Sequence, residues 1–364
     1  MRLHGGEGNT FVEDTWNPTI YWNDELDALE CDDTYLVDNI LVAGQLCLIA
    51  GPEKCLKTSI MVALAVSVAS GKKFLGKYDV LETGKIGIVS CESGPGSLKG
   101  LQRRVIESHG IEDFHERKRI AWSFQSMNLQ NPKHIQSLRS WIVNEDLSVV
   151  MIDPVYMMLP SIGGDAKDVF AMGPIIDSLR EVASDTGCAI VVAHHFHKLP
   201  QDKATAIPEL HMASMAGWRE GARQWILLNR REKFDPTTPG VHKLWMTAGG
   251  SAGHCEGLAL DVDEGRIRDG RKWDVQVRSI HDAKVAWAEA KDAREESKQR
   301  ERADKVLGAL EDHPDGLTKT AILRIVKGDK GILKETLEYL DSIGEIEQAK
   351  VTMSGKEQIV WRLA

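Results

Sequence analysis

Residues 45–71 leave this chain little freedom in how it begins to fold. A short apolar run, 45–50 (Gln-Leu-Cys-Leu-Ile-Ala), leads into Gly51, Pro52, Glu53, Lys54, Cys55, Leu56, Lys57, Thr58 and Ser59. A run rich in Ala, Val, Ile and Met then continues to Ser70 and stops at Gly71, a natural helix terminator. Strand, glycine turn, Lys-Thr and helix is the P-loop arrangement. In it, backbone N–H groups wrap phosphate oxygens at the positive end of the helix. Residues 51–59 would form the cradle, Lys57 would reach the β- and γ-phosphates, and the Thr58 hydroxyl would ligate Mg²⁺. Leu56 stands where the pattern has its second glycine, and so puts a Cβ where the backbone usually closes on phosphate.

The chain repeats this strand-then-helix logic. Apolar runs at 85–90, 148–152 and 188–193 read as further strands, and helical patterns occupy 58–70, 96–109, 132–143 and 172–186. Apolar runs separated by helices predict an α/β fold with a mainly parallel sheet buried on both faces. Runs at 225–229, 243–247 and 257–262 add strands, the last as an edge hairpin partner. The organisation expected is an arm with one short strand near 35–41 (residues 1–43), a nucleotide-binding core (44–270), a charged helical linker (271–302) and a compact tail (303–364).

Bulk properties exclude several classes. The 364 residues carry a net charge of −9, which is unlike a chain that coats nucleic acid, so any such contact must be local. No apolar run reaches the ~18 residues of a membrane span, and the first residues have no apolar signal core. The six cysteines are scattered without a C-x-x-C pair, which fits reduced thiols in a cytoplasmic protein rather than a disulfide scaffold or zinc site.

Four features fall where nucleotide hydrolysis needs them. The strand at 85–90 ends in Cys91-Glu92, and a carboxylate there can orient or deprotonate an attacking water. The strand at 148–152 ends in Asp153, an acid placed to hold the Mg²⁺ shell. The strand at 189–193 ends in His194-His195-Phe196-His197-Lys198. No Cys or carboxylate lies close by in sequence to make these histidines a metal set, so a polar strand end facing the γ-phosphate is the better reading, with His195 in that role and His194 packed in the core. The segment from Ser214 through Gly217, Arg219, Gly221 and Arg223 opens a strand with two arginines four apart, and an arginine offered to a neighbour's phosphate is a common hydrolysis device.

The order of these motifs resembles the RecA-fold P-loop ATPases of the RepA type, an AAA_25-like group of plasmid hexameric helicases related to the DnaB and RecA core. The resemblance spans roughly residues 35–265. It implies an ATP-binding core that assembles into a ring, with Lys57 and Thr58 as the P-loop pair, Glu92 as the catalytic glutamate and Asp153 as the Walker B acid. It further implies His195 as the γ-phosphate sensor and Arg223 as an arginine finger acting across a subunit interface, with Arg219 in reserve. Loops at 161–172 and 198–212, expected to be mobile, would face a central channel and a single DNA strand.

The tail shows three amphipathic segments, 303–311, 317–326 and 331–343, then alternating runs 345–350 and 358–363 across Ser354-Gly355. That pattern predicts a winged helix-turn-helix, often a DNA reader. Residues 318–364 hold eight Lys or Arg against seven Asp or Glu, so docking to a protein stands equally beside DNA binding. Three functions are therefore open: a ring-forming DNA helicase-like motor in replication or mobile-element processing, a regulatory ATPase that signals to a protein through the tail, and a sequence-specific DNA-binding protein with a structural P-loop.

Overall fold

The computed structural model describes residues 19–29, 33–116, 118–159, 169–214, 217–233, 235–353 and 356–364. Compactness divides the chain into two units. The first runs to Leu199 and adds Glu209–Leu227 and Ala248–Glu256; the second takes Pro200–Pro208, Leu228–Thr247 and Gly257–Ala364.

The first unit contains helix α1 (Asn23–Asp27), a small antiparallel pair β1 (Tyr35–Val37) and β2 (Leu41–Val42), and then alternating strands and helices. These are β3 (Leu46–Gly51), α2 (Lys57–Ser70), β4 (Lys85–Ser90), α3 (Pro95–Ser108), β5 (Ile120–Ser123), α4 (Pro132–Glu145), β6 (Leu147–Asp153), α5 (Val169–Thr186), β7 (Ala189–His195), α6 (Trp218–Gly221) and β8 (Gln224–Arg230). The strand order is β8-β3-β7-β6-β4-β5, and every pairing is parallel. All six residues of β3 are buried, as a strand covered on both faces requires. Helix α2 is buried almost all round, so it shows no amphipathic stripe, whereas α3 buries one face through Leu98, Leu101, Val105 and Ile106. Gly87 lets the sheet and α4 close: a Cβ there would meet the Trp141 ring at 2.7 Å.

Two differences from the sequence reading belong to this unit. The strand expected near 35–41 is two short strands joined by a turn in which Asn39 has φ 55°. Strand β5 was not expected, because its four residues are only half-buried and give no apolar run.

In the second unit the end of β8 is followed by β9 (Val241–Gly250), β10 (Cys255–Asp263) and β11 (Asp274–Ser279), in the order β8-β9-β10-β11. Helix α7 (Ile280–Glu311) starts at Ser279, whose hydroxyl accepts from the Asp282 N–H. Helix α8 (Lys319–Val326) is capped by Thr318, and α9 (Lys330–Ser342) by Asp329. Strands β12 (Ile346–Met353) and β13 (Lys356–Leu363) pair antiparallel. The end of α7, α8, α9 and this hairpin share a core that includes Val306, Leu310, Ile322, Leu333, Leu337, Leu340 and Trp361.

Residues 271–302, read as a helical linker, instead contain strand β11, whose half-buried Val275 and Val277 alternate with exposed Asp274, Gln276 and Arg278. Helix α7 then runs unbroken across 302–303, since Ala, Glu, Lys and Arg on both sides favour helix. The loop at 198–212 is less free than expected. Within this unit, Thr205, Ala206 and Pro208 carbonyls accept from Trp245 Nε1 at 3.0 Å, Asn229 Nδ2 at 2.8 Å and Thr247 Oγ1 at 3.0 Å. Most of the loop at 161–172 and the Ser354-Gly355 turn lie outside the described residues. Among the described residues no helix is long and apolar enough to cross a membrane.

Candidate functional site

Parallel register sets the site. Gly51 pairs with His195, Ser90 with Asp153, and Ile152 with Val192, so β3, β7, β6 and β4 all end at the same edge. Ligands in such sheets sit at the carboxyl ends of strands. The loop between β3 and α2 opens here, with Lys54 at φ 55° and Leu56 at φ 63°. Leu56 is thus in the left-handed conformation that glycine adopts most easily, at the position where the pattern carries one.

Lys57 begins α2 and is 8 % exposed. Its ammonium donates to the Gly51 carbonyl at 3.0 Å and the Pro52 carbonyl at 2.7 Å, and lies 3.3 Å from His195 Nδ1. The next residue, Thr58, donates its hydroxyl to Asp153 Oδ2 at 2.7 Å. Asp153 is 3 % exposed. Burial pushes its carboxyl above the usual range; the Thr58 bond opposes the rise, Glu92 adds to it, and Lys57 opposes it. Glu92 itself is exposed just beyond β4. A buried carboxylate crowded by a second acid and joined to a hydroxyl is a pair of hard oxygen ligands of the kind Mg²⁺ takes. Among the described residues no group of three His, Cys, Asp or Glu could hold a metal ion.

His194 and His195 divide as expected from their positions on β7. His194 is buried against Trp218, ring centroids 6.1 Å apart, and its Nδ1 accepts from the His195 N–H at 2.6 Å. Burial, then His195 and Lys57, push its pKa down to about 4, so it is neutral. The pKa of half-buried His195 is lowered by burial and Lys57, against the opposite pull of Glu92 and Glu53. Ser214 ties the following segment to this strand end: its N–H and hydroxyl both donate to the His195 carbonyl, at 3.0 and 2.7 Å. Gly221 is tight against α5, where a Cβ would meet Ile176 Cγ2 at 2.3 Å.

The chain does not bring Arg223 to this cluster. Its N–H donates to the Leu46 carbonyl and Gln224 pairs with Cys47, so Arg223 lies at the amino end of β3, while the P-loop leaves the carboxyl end. Five residues of strand separate the two ends, roughly 16 Å. Arg223 is exposed beside Gln45, Asp177, Arg180, Glu181 and Asp185. Arg219 is half-buried on α6, with Nη1 3.5 Å from the His211 carbonyl and Nη2 3.7 Å from Glu220.

Residues 21–201 match the AAA_25 family model, an AAA domain. The match covers the cradle, Glu92, Asp153 and His195, supports a P-loop ATPase family for this stretch and suggests ATPase activity. No curated protein matches the chain. Within the matched stretch, one neighbour of the site was not expected from the sequence. Tyr156, on the 3-10 turn Val155–Met158, sets its ring 5.3 Å from that of His195. An aromatic three residues after Asp153 was the available signal.

Proposed function

We propose that this chain binds and hydrolyses ATP and assembles into a ring, acting on DNA as a helicase-like motor in replication or mobile-element processing. The observation that carries the reading is the Thr58–Asp153 bond beside the Lys57–His195 contact, which gathers groups from three strand ends and one helix start at a single edge. The backbone of residues 51–59 and Lys57 would hold the phosphates, and Thr58 and Asp153 the Mg²⁺. Bound there, Mg²⁺ would neutralise phosphate charge and fix the phosphate's orientation. Glu92 would take the proton of the attacking water, and His195 would meet the transferred phosphate as a neutral donor.

The place of Arg223 supports assembly. An exposed arginine at the far end of β3 from its own P-loop serves hydrolysis only on another subunit, as an arginine finger in a closed ring, by the RepA-type resemblance a hexamer. The test is native mass measurement with ATP and Mg²⁺, together with ATPase rate with and without single-stranded DNA. Arg223→Ala should lower hydrolysis more than ATP binding, and mixing it with Glu92→Gln subunits should recover part of the rate. A protein that stays monomeric yet hydrolyses ATP efficiently removes the ring reading.

A second reading, a regulatory ATPase whose tail docks on a protein, has its own support. If the tail is a winged helix-turn-helix, α9 is its recognition helix. That helix exposes Ile332 and Tyr339 at 37 and 38 %, with Ile343 just past its end at 52 %, among Lys330, Lys334, Glu335 and Glu338. Exposed apolar groups among balanced charges suit a protein surface better than DNA phosphates. An ATPase rate indifferent to DNA favours this reading.

A further inference from the structure

Nothing in the motifs accounts for Tyr156. The turn that carries it is anchored by buried Val155 and Met158, while Tyr156 is 40 % exposed on the side of the site. Its ring lies at 5.3 Å and 52° from that of His195. His195 is therefore held between two groups: the Tyr156 ring and the Lys57 ammonium, 3.3 Å from Nδ1. An ammonium only donates, so Nδ1 must accept and the ring proton must sit on Nε2. A ring with one such hydrogen bond is free to rotate to its other face unless something packs against it. A flip would turn Nδ1 away from Lys57 and take the Nε2–H out of its position.

We propose that Tyr156 is a positioning residue for His195: its ring seats the imidazole with Nδ1 toward Lys57 and leaves Nε2–H free to donate to the transferred phosphate. This rests on the nucleotide-hydrolysis reading of the site. The charged and titratable groups around the pair are Lys57, Glu92, Asp153, Glu53 and His194. Burial first, then Glu92, Asp153 and Glu53, raise the Tyr156 phenol, which therefore keeps its proton at neutral pH. A direct donor role for that hydroxyl is the competing account, and the two separate cleanly by substitution.

The experiment compares Tyr156→Phe and Tyr156→Ala in the full chain, after thermal melts show both folded. The Phe variant keeps the ring and should hydrolyse ATP near the wild-type rate. The Ala variant should lose about 10- to 10²-fold in kcat, with affinity for a non-hydrolysable ATP analogue unchanged, since misplacing one catalytic group costs that much. Nitrogen-15 spectra of the imidazoles, read without nucleotide, should show His195 as the Nε2–H tautomer in the wild type and Phe variant, and as a mixture in the Ala variant. An Ala variant with wild-type kcat and tautomer overturns the proposal. A Phe variant as slow as Ala moves the role to the hydroxyl and overturns it equally. If the wild-type protein hydrolyses no ATP, the functional reading falls, and the tautomer comparison still decides whether Tyr156 seats His195.

Discussion

The proposed phosphate cradle and the C-terminal tail treat charge in opposite ways. At the cradle, Lys57, Asp153 and His194 are 8, 3 and 3 % exposed, set among the apolar ends of parallel strands. In the tail the shared core is apolar, and the ion pairs Glu301–Lys305, Lys334–Glu338, Glu347–Arg362 and Lys350–Glu357 stand at the surface. Exposed pairs of this kind are screened by solvent and contribute little. A buried charge costs several kcal/mol unless it is paired and hydrogen-bonded. Lys57 and Asp153 bear that cost at the strand ends, whereas the paired charges of the tail stay at the surface. Changes at the cradle should therefore strike activity more than folding, and changes in the tail core the reverse.

The largest effect should come from Lys57→Ala. It removes the ammonium that bridges the Gly51 and Pro52 carbonyls and His195, and with it the charge proposed to meet phosphate. Hydrolysis should fall to background and ATP affinity should drop strongly, in single-turnover assays and calorimetric titration, while the thermal midpoint changes little. Hydrolysis at the wild-type rate would mean that the site is elsewhere.

Next is Glu92→Gln. Loss of a general base typically slows hydrolysis by ~10²–10⁴-fold. Glu92 is exposed beyond β4, outside the proposed cradle at 51–59, so the affinity for a non-hydrolysable analogue should survive. The substitution also removes one of the influences that raise the Asp153 carboxyl. Should affinity collapse as far as in Lys57→Ala, Glu92 shapes the cradle rather than the reaction.

The tail offers the opposite test. Leu337 is 1 % exposed in the core shared by α7, α8, α9 and the hairpin. Leu337→Ala should cost about 2–5 kcal/mol of the tail's stability. Limited proteolysis should then open the tail first, while ATP hydrolysis without DNA stays near wild type. Loss of ATP binding in this variant would join the tail energetically to the nucleotide site and erase the contrast.

The same contrast explains what was legible before any coordinates. Strands buried on both faces announce themselves as apolar runs, and the residue after each run is a strand end, so Glu92, Asp153 and His195 were readable as neighbours from topology alone. Strand β5 is short and half-buried, and it left no such run. Strand β11 was hidden by composition: a charged stretch read as helix, although Val275 and Val277 alternate with polar residues as a half-buried strand should. Tyr156 reaches His195 from a turn that follows the strand, and contacts of that kind have no period to betray them. Arg223 was visible as an arginine before a strand, but its distance from its own P-loop appears only once β8 is set parallel to β3.

The smallest effect should come from Leu56→Gly, and its sign is the informative part. Leu56 caps α2 at φ 63° and ψ 25°. A side chain with a Cβ pays roughly 1–2 kcal/mol in that left-handed conformation. Glycine relieves the clash but gives the unfolded chain more freedom, worth about 0.5–1 kcal/mol in the other direction. The balance lies between zero and about 1.5 kcal/mol in favour of the variant, so the thermal midpoint should hold or rise slightly. With the Cβ gone, the backbone is free to close on phosphate as the P-loop pattern intends, and analogue affinity should stay equal or tighten by up to about fivefold, the equivalent of 1 kcal/mol. Leu56 is half-buried, however, and a half-buried leucine can also serve as packing for the loop. If Leu56→Gly instead weakens the analogue severely while the protein melts at the same temperature, the leucine side chain is part of the cradle's shape, and this loop holds phosphate in a geometry that the usual glycine would spoil.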